Sequence, residues 1–239
     1  MLSQFYQELK AEFPSMQEQP PLFNVIEPEF LTPQFQPLRL QLDRDVRIFM
    51  TSEDKTYVVQ FQRDRFVLNW RRVRPDAQYP RFASNFPKFE ALLAKFETFV
   101  KKHELGEVTP NQFELTYVNI IDSKNGLDEY TMNGLFVDHF RNVKDTNRFL
   151  PLPEGLNWQS SYALPARAGR LHVNALTSHI LDDLPRGQVL RVDLTARGIG
   201  EDRSVAGRSN WFDLAHRWIV LGFSDIVRSN VQDECWGRQ

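Results

Sequence analysis

Apolar and polar residues alternate with a period of two along several stretches of the chain, the mark of a strand that buries one face. Val46, Ile48 and Met50 follow this rule, as do Tyr57, Val59 and Phe61, and then Phe66, Leu68 and Trp70. Polar turns separate them at Ser52 to Lys55 and at Gln62 to Asp64, so the spacing predicts an antiparallel meander. Leu38, Leu40 and Leu42 predict an earlier strand piece. The period then changes. Phe82, Phe86, Phe89, Leu93, Phe96 and Val100 fall three and four apart, which predicts a long amphipathic helix, and Lys101 and Lys102 suit its C-terminal end. Pro87 moves the regular start toward itself or kinks the first turn.

The same order returns downstream. Phe113, Leu115, Tyr117 and Ile121 alternate, and further strands are predicted near 158–164, 170–176 and 189–197. A second long helix carries Trp211, Leu214, Ala215, Trp218, Ile219, Phe223, Ile226 and Val227, with Ser209 or Asn210 as N-cap and Asp213 in the first turn. A short helix is predicted around 135–141. Upstream of both repeats, Phe5, Leu9 and Phe13 predict an amphipathic helix over 1–13, and the proline-rich stretch from Pro14 to Pro37 predicts an extended surface arm. The expected fold is α+β: an antiparallel sheet or sheets with two long helices packed on one face, built from two pseudo-duplicated strand-meander-plus-helix halves. The expected division is an arm at 1–37, a first half at 38–108 and a second at 109–239, the halves sharing one core.

Composition narrows the class. The chain has 239 residues, 41% of them hydrophobic and 25% charged, which is ordinary for a soluble globular protein. A net charge of -2 gives no global attraction to nucleic acid or anionic membrane. The one cysteine, Cys235, excludes an intrachain disulfide and a multi-cysteine zinc site, and its acidic neighbours Asp233 and Glu234 make it a poor nucleophile. The opening residues lack a signal-peptide pattern, and no stretch approaches the ~20 apolar residues of a membrane span. The expectation is a soluble cytoplasmic protein.

Antiparallel sheets tolerate one wet face, and the alternation says which residues occupy it. They are Asn69, Arg71, Glu114, Thr116, His172, Asn174, Arg191, Asp193, Thr195 and Arg197. Mixed charges on a rigid scaffold suit a protein partner, with Asn69, Arg71, Glu114, Arg191, Asp193 and Arg197 as the contact residues. An alternative uses Arg63, Arg65, Arg71, Arg72, Arg74 and Arg81, which are interleaved with Phe66, Trp70, Tyr79 and Phe82 as single-stranded nucleic acid requires. Against it, Phe66 and Trp70 lie on the apolar side of their strand.

Catalytic signatures are weak by comparison. Asp213 and His216 share a helix face, but His216 also shares the apolar stripe, which favours a histidine satisfied at the core edge. His179 with Asp182 and Asp183, and Asp138 beside His139, are pairings that arise easily in loops. Gly198-Ile199-Gly200 lacks the third glycine and the lysine of a phosphate loop. No serine or cysteine sits in a nucleophile turn. The expectation is therefore a protein that is not an enzyme and uses neither cofactor nor metal.

Five segments carry a resemblance: Arg65-Phe66-Val67-Leu68-Asn69-Trp70-Arg71-Arg72, Tyr79-Pro80-Arg81-Phe82, Phe113-Glu114-Leu115-Thr116-Tyr117-Val118-Asn119, Asp193-Leu194-Thr195-Ala196-Arg197-Gly198 and Trp211-Phe212-Asp213-Leu214-Ala215-His216-Arg217-Trp218-Ile219. In order and type they resemble a sporadically distributed bacterial protein family of unassigned function, over residues 38 to 236. The chain departs from that pattern at Arg217, where the family carries an acidic residue. The resemblance implies no catalytic residues. It does imply an accessory setting, such as a defence or toxin–antitoxin locus, because patchy distribution is commonest there.

Overall fold

A computed structural model describes residues 2–22, 25–27, 46–74, 76–122, 135–137, 149, 155–179 and 188–236. The chain divides into two compact units, one comprising Met1–Val25 with Leu31–Thr109, the other Ile26–Phe30 with Pro110–Gln239. Each holds a four-stranded antiparallel sheet and a long helix, so the fold is α+β with two sheets rather than one.

In the N-terminal unit, α1 (Leu2–Leu9) leads into β1 (Ser15–Gln19), β2 (Arg47–Thr51), β3 (Tyr57–Gln62), β4 (Arg65–Trp70) and α2 (Phe82–Lys102). The sheet order is β1-β2-β3-β4, a plain meander. Cross-strand pairing of Ile48 with Phe61, Met50 with Val59, and Phe61 with Phe66 lines up the predicted apolar alternation on one face. That face meets Phe5, Leu9 and Phe13 from the N-terminal segment and Leu92, Phe99 and Val100 from α2 in a single core. Helix α2 begins at Phe82 and runs through Pro87, which lies near enough to the N-terminus that one missing intrahelical bond is tolerated. Lys101 and Lys102 close it, as the spacing predicts.

The N-terminal arm departs from expectation. Residues 15–19 are a strand paired with β2 from Ser15–Thr51 to Gln19–Arg47, not a surface wrap. Its neighbour α1 is buried through Phe5 and Leu9, and a chain leaving that docked helix runs alongside the open edge of β2. The strand piece expected at Leu38, Leu40 and Leu42 lies outside the described residues.

The C-terminal unit runs β5 (Phe113–Ile121), β6 (Asn157–Ala163), β7 (Arg170–His179), β8 (Gln188–Gly198), α3 (Val205–Ile226) and α4 (Ser229–Trp236). The order is β5-β8-β7-β6. The repeat is thus a three-strand meander followed by a helix, and the fourth strand differs: β1 extends the first meander beside its first strand, whereas β5 extends the second beside its last. Leu171, Val173, Ala175, Val192, Leu194 and Ala196 form the buried face under Trp211, Phe212, Ala215 and Ile219 of α3. Of the helix expected at 135–141, Leu135 and Phe136 are buried and Phe136 bridges to Val227; 138–141 lie outside the described residues.

Helix α3 begins earlier than the sequence pattern predicts. Ser204, not Ser209 or Asn210, is the N-cap, accepting from the Gly207 amide at 3.1 Å, and Asp202 accepts from the Ser204 amide at 2.9 Å. Asp213 is therefore well inside the helix. Gly198 closes β8 against the β6–β7 turn. It and Gly169 lie at φ of 153° and 125°, and a Cβ on either would come within 2.1 Å of the facing carbonyl of Ala168 or Arg197. The glycine that resembled half a phosphate loop is there for close backbone approach. Trp211 Nε1 donates to the Ala168 carbonyl at 2.9 Å and ties the same turn to α3.

Candidate functional site on the C-terminal sheet

The side of the C-terminal sheet opposite α3 carries the predicted polar residues, and the register sets them in rows across β5, β8, β7 and β6. One row is Glu114, Arg197, Arg170 and Ala163; the next is Thr116, Thr195, His172 and Ser161. Val118, Asp193, Asn174 and Gln159 follow, then Ile120, Arg191, Leu176 and Asn157. Glu114, Arg191, Asp193 and Arg197 thus fall on one surface as the alternation predicts. Asn69 and Arg71 do not join it. They belong to the N-terminal unit, where Asn69 accepts from Gln60 Nε2 and Arg71 Nε donates to the Lys55 carbonyl at 2.7 Å. Alternation fixes a residue's face but not which sheet the strand enters.

The charges on this surface are largely self-paired. Arg191 Nε donates to Asp193 at 2.8 Å, and that carboxylate raises the guanidinium above its ordinary pKa. Arg197 Nε donates to Glu114 at 2.7 Å, and Thr116 and Thr195 hydroxyls lie 2.9 Å apart. Three apolar side chains stand among them: Val118 is 50% exposed, Ile120 46% and Leu176 39%. Val118 faces Asp193, and Ile120 and Leu176 flank Arg191 on either side.

A group that the sequence reading missed occupies the other end. Glu27, from the short segment assigned to this unit, binds two residues of β7: Oε1 accepts from Arg170 Nη1, and Oε2 lies 2.7 Å from His172 Nε2. Its backbone amide donates to Gln112 Oε1 at 2.7 Å. The side chains of Glu27 and Arg170 are 8% and 10% exposed. On the far side of the imidazole, His172 Nδ1 is 2.8 Å from Ser161 Oγ. Glu27, His172 and Ser161 are one continuous hydrogen-bonded chain. Beside it lies an open depression of about 270 Å³ lined by Gln159, Ser161, His172, Asn174, Asp193, Thr195 and Arg197 among others. Asn174 Oδ1 is buried without a hydrogen-bond partner among the described residues. No sequence motif announces this cluster, because Glu27 is more than 140 residues from both its partners.

The other candidates disperse. His216 lies on the helix side of the sheet, with Nδ1 3.0 Å from the Tyr117 hydroxyl, and Asp213 is exposed. Burial lowers the His216 pKa from 6.5, with Asp213 opposing. The sign follows: as pH falls below the ordinary 6.5, the unfolded chain takes up a proton that the folded imidazole resists, so stability drops. His216→Gln is expected to flatten that part of the dependence, as denaturant unfolding above and below that pH would measure; equal slopes would mean an imidazole exposed to water. Asp182, Asp183, Asp138 and His139 lie outside the described residues.

In the N-terminal unit, Arg63, Arg72 and Arg74 are exposed, and Arg74 is 3.8 Å from Asp76. Arg65 is half-buried, and Arg81 takes a left-handed φ of 61° before α2. The interleaved aromatics pack on one another: Phe66 stacks on Phe96 at 5.3 Å, Trp70 meets Tyr79 edge-on at 5.2 Å, and Phe82 stacks on Phe86. Among the described residues no group of three or more metal-ligating side chains is gathered, and no helix is long and apolar enough to cross a membrane. No protein family matches the chain, nor does any curated protein or solved structure.

Proposed function

We propose that this protein binds a protein partner through the polar face of its C-terminal sheet. One observation carries the reading: Val118, Ile120 and Leu176 form an exposed apolar group around a charge pair already neutralised within the surface. Single exposed apolar residues are ordinary, but Val118 and Ile120 are successive outward positions of β5, and Leu176 of β7 stands across Arg191 from Ile120, so apolar surface that water solvates poorly lies on both sides of the charge pair. Charges that are already paired are docked against at lower desolvation cost than free ones. Glu114 and Arg197 then supply a polar rim that fixes register, with the Arg191–Asp193 pair inside it. The family resemblance adds a setting, an accessory or defence locus, for such an adaptor.

The competing reading, nucleic-acid binding by the arginines of 63 to 81, has exposed cations in its favour and intramolecularly packed aromatics against it. The experiment is capture of the tagged chain's partner from its host after nuclease treatment, comparing the parent with Ile120→Asp. A charge placed within a docked apolar group is expected to cost at least about 2 kcal/mol, roughly thirtyfold in affinity. Retention of the partner by the variant would overturn the reading, and so would loss of every partner on nuclease treatment.

A further inference from the structure

The Glu27–His172–Ser161 chain is more than a structural bond. A carboxylate only accepts hydrogen bonds, so Glu27 Oε2 at 2.7 Å fixes the proton of His172 on Nε2. In the neutral imidazole that leaves Nδ1 with a lone pair, 2.8 Å from Ser161 Oγ, and the hydroxyl then donates to it. An acid orienting a histidine that in turn draws a proton from a hydroxyl is the arrangement that activates a serine, and it is recognised by geometry and roles rather than by sequence position. Ser161 is exposed and opens on the depression, so its oxygen is reachable.

We infer that Ser161 is the nucleophile of a hydrolytic site for small polar carboxylic esters, with His172 as general base and Glu27 as a positioning residue. The depression, about 270 Å³, admits a small acyl group rather than a long chain. Its lining of Gln159, Asn174, Asp193, Thr195 and Arg197 is polar, which suits a polar substrate. Gln159 and Arg197 line the same depression, and both are residue types with N–H donors of the kind an oxyanion needs. In the first step Ser161 Oγ bonds to the ester carbonyl carbon and its proton passes to His172 Nδ1. Collapse breaks the bond to the leaving oxygen, which departs as the alcohol with that proton. Water then attacks the acyl-serine, giving its proton to Nδ1, and the acid is released as Ser161 recovers its proton. The net reaction is ester plus water to acid plus alcohol.

This inference stands on the Glu27–His172–Ser161 chain and the depression beside it and does not depend on partner binding. The test is labelling of the full chain with a fluorophosphonate, a probe of activated serines, alongside hydrolysis of p-nitrophenyl acetate. Labelling is expected at Ser161, abolished in Ser161→Ala, and slowed on the order of a hundredfold in His172→Gln, the usual contribution of a general base. Because Ser161 is exposed, its alanine variant is expected to fold like the parent. For Glu27 the readout is the ¹⁵N spectrum of His172. It is expected to show a protonated Nε2 and a bare Nδ1 in the parent and mixed tautomers in Glu27→Gln. A folded parent that is neither labelled at Ser161 nor more active than its Ser161→Ala variant would overturn the inference. A His172 that carries its proton on Nδ1 would overturn it too.

Discussion

Phe5→Ala is expected to cost the N-terminal unit about 3–5 kcal/mol, the range for a phenylalanine removed from a well-packed core. Phe5 is 1% exposed and touches three rings at once: Phe61 and Phe96 edge-on at 5.4 and 5.2 Å, and Phe99 at 5.1 Å. Two of those rings belong to α2 and one to β3, so the side chain bolts α1 to both layers. An eight-residue helix is too short to persist in water by itself, which means losing this anchor releases α1 as well. Strand β1 is then exposed along its pairing with β2. Urea unfolding measures the loss. A change below about 1 kcal/mol would mean that α1 is an appendage and not part of the core.

Glu27→Ala is expected to have a comparable effect on the C-terminal unit, about 3–5 kcal/mol, by a different route. The alanine leaves Arg170 charged at 10% exposure with its carboxylate gone, and it leaves His172 Nε2 without an acceptor. The cost is that of a nearly buried guanidinium losing a carboxylate partner rather than of a surface attraction lost. Glu27→Gln is expected to cost much less, because the amide oxygen still accepts from Arg170. Thermal unfolding of both variants separates the two cases. If alanine and glutamine both destabilise by the full amount, the charge of the carboxylate and not its acceptor oxygen holds Arg170; if neither does, Arg170 is satisfied by its other contacts.

How far the sequence foretold this depends on the distance over which each residue acts. Strands β3, β4, β5 and β7 and helix α2 were legible because their own alternation or three–four spacing states which side is buried. Strand β1 was not: Ser15, Gln17, Glu18 and Gln19 carry no strand pattern, and the segment pairs only because α1 delivers it to β2. The start of α3 was masked because Asp202, Arg203 and Ser204 read as a polar loop, whereas two side-chain caps turn them into a helix entry. The polar face of the C-terminal sheet was legible residue by residue in Glu114, Arg191, Asp193 and Arg197. Its most ordered feature was not. Glu27 lies in a proline-rich stretch, Ser161 resembles filler in a strand, and only the register of β6 with β7 sets Ser161 against His172.

Partner binding through the polar face of the C-terminal sheet, as proposed, is checked by hydrogen exchange of the chain alone and in complex with the captured partner. Protection is expected along Glu114–Ile120, His172–Leu176 and Arg191–Arg197, with the arginines from 63 to 81 unchanged. Protection confined to 63–81, with the C-terminal sheet exchanging as in the free chain, would contradict it.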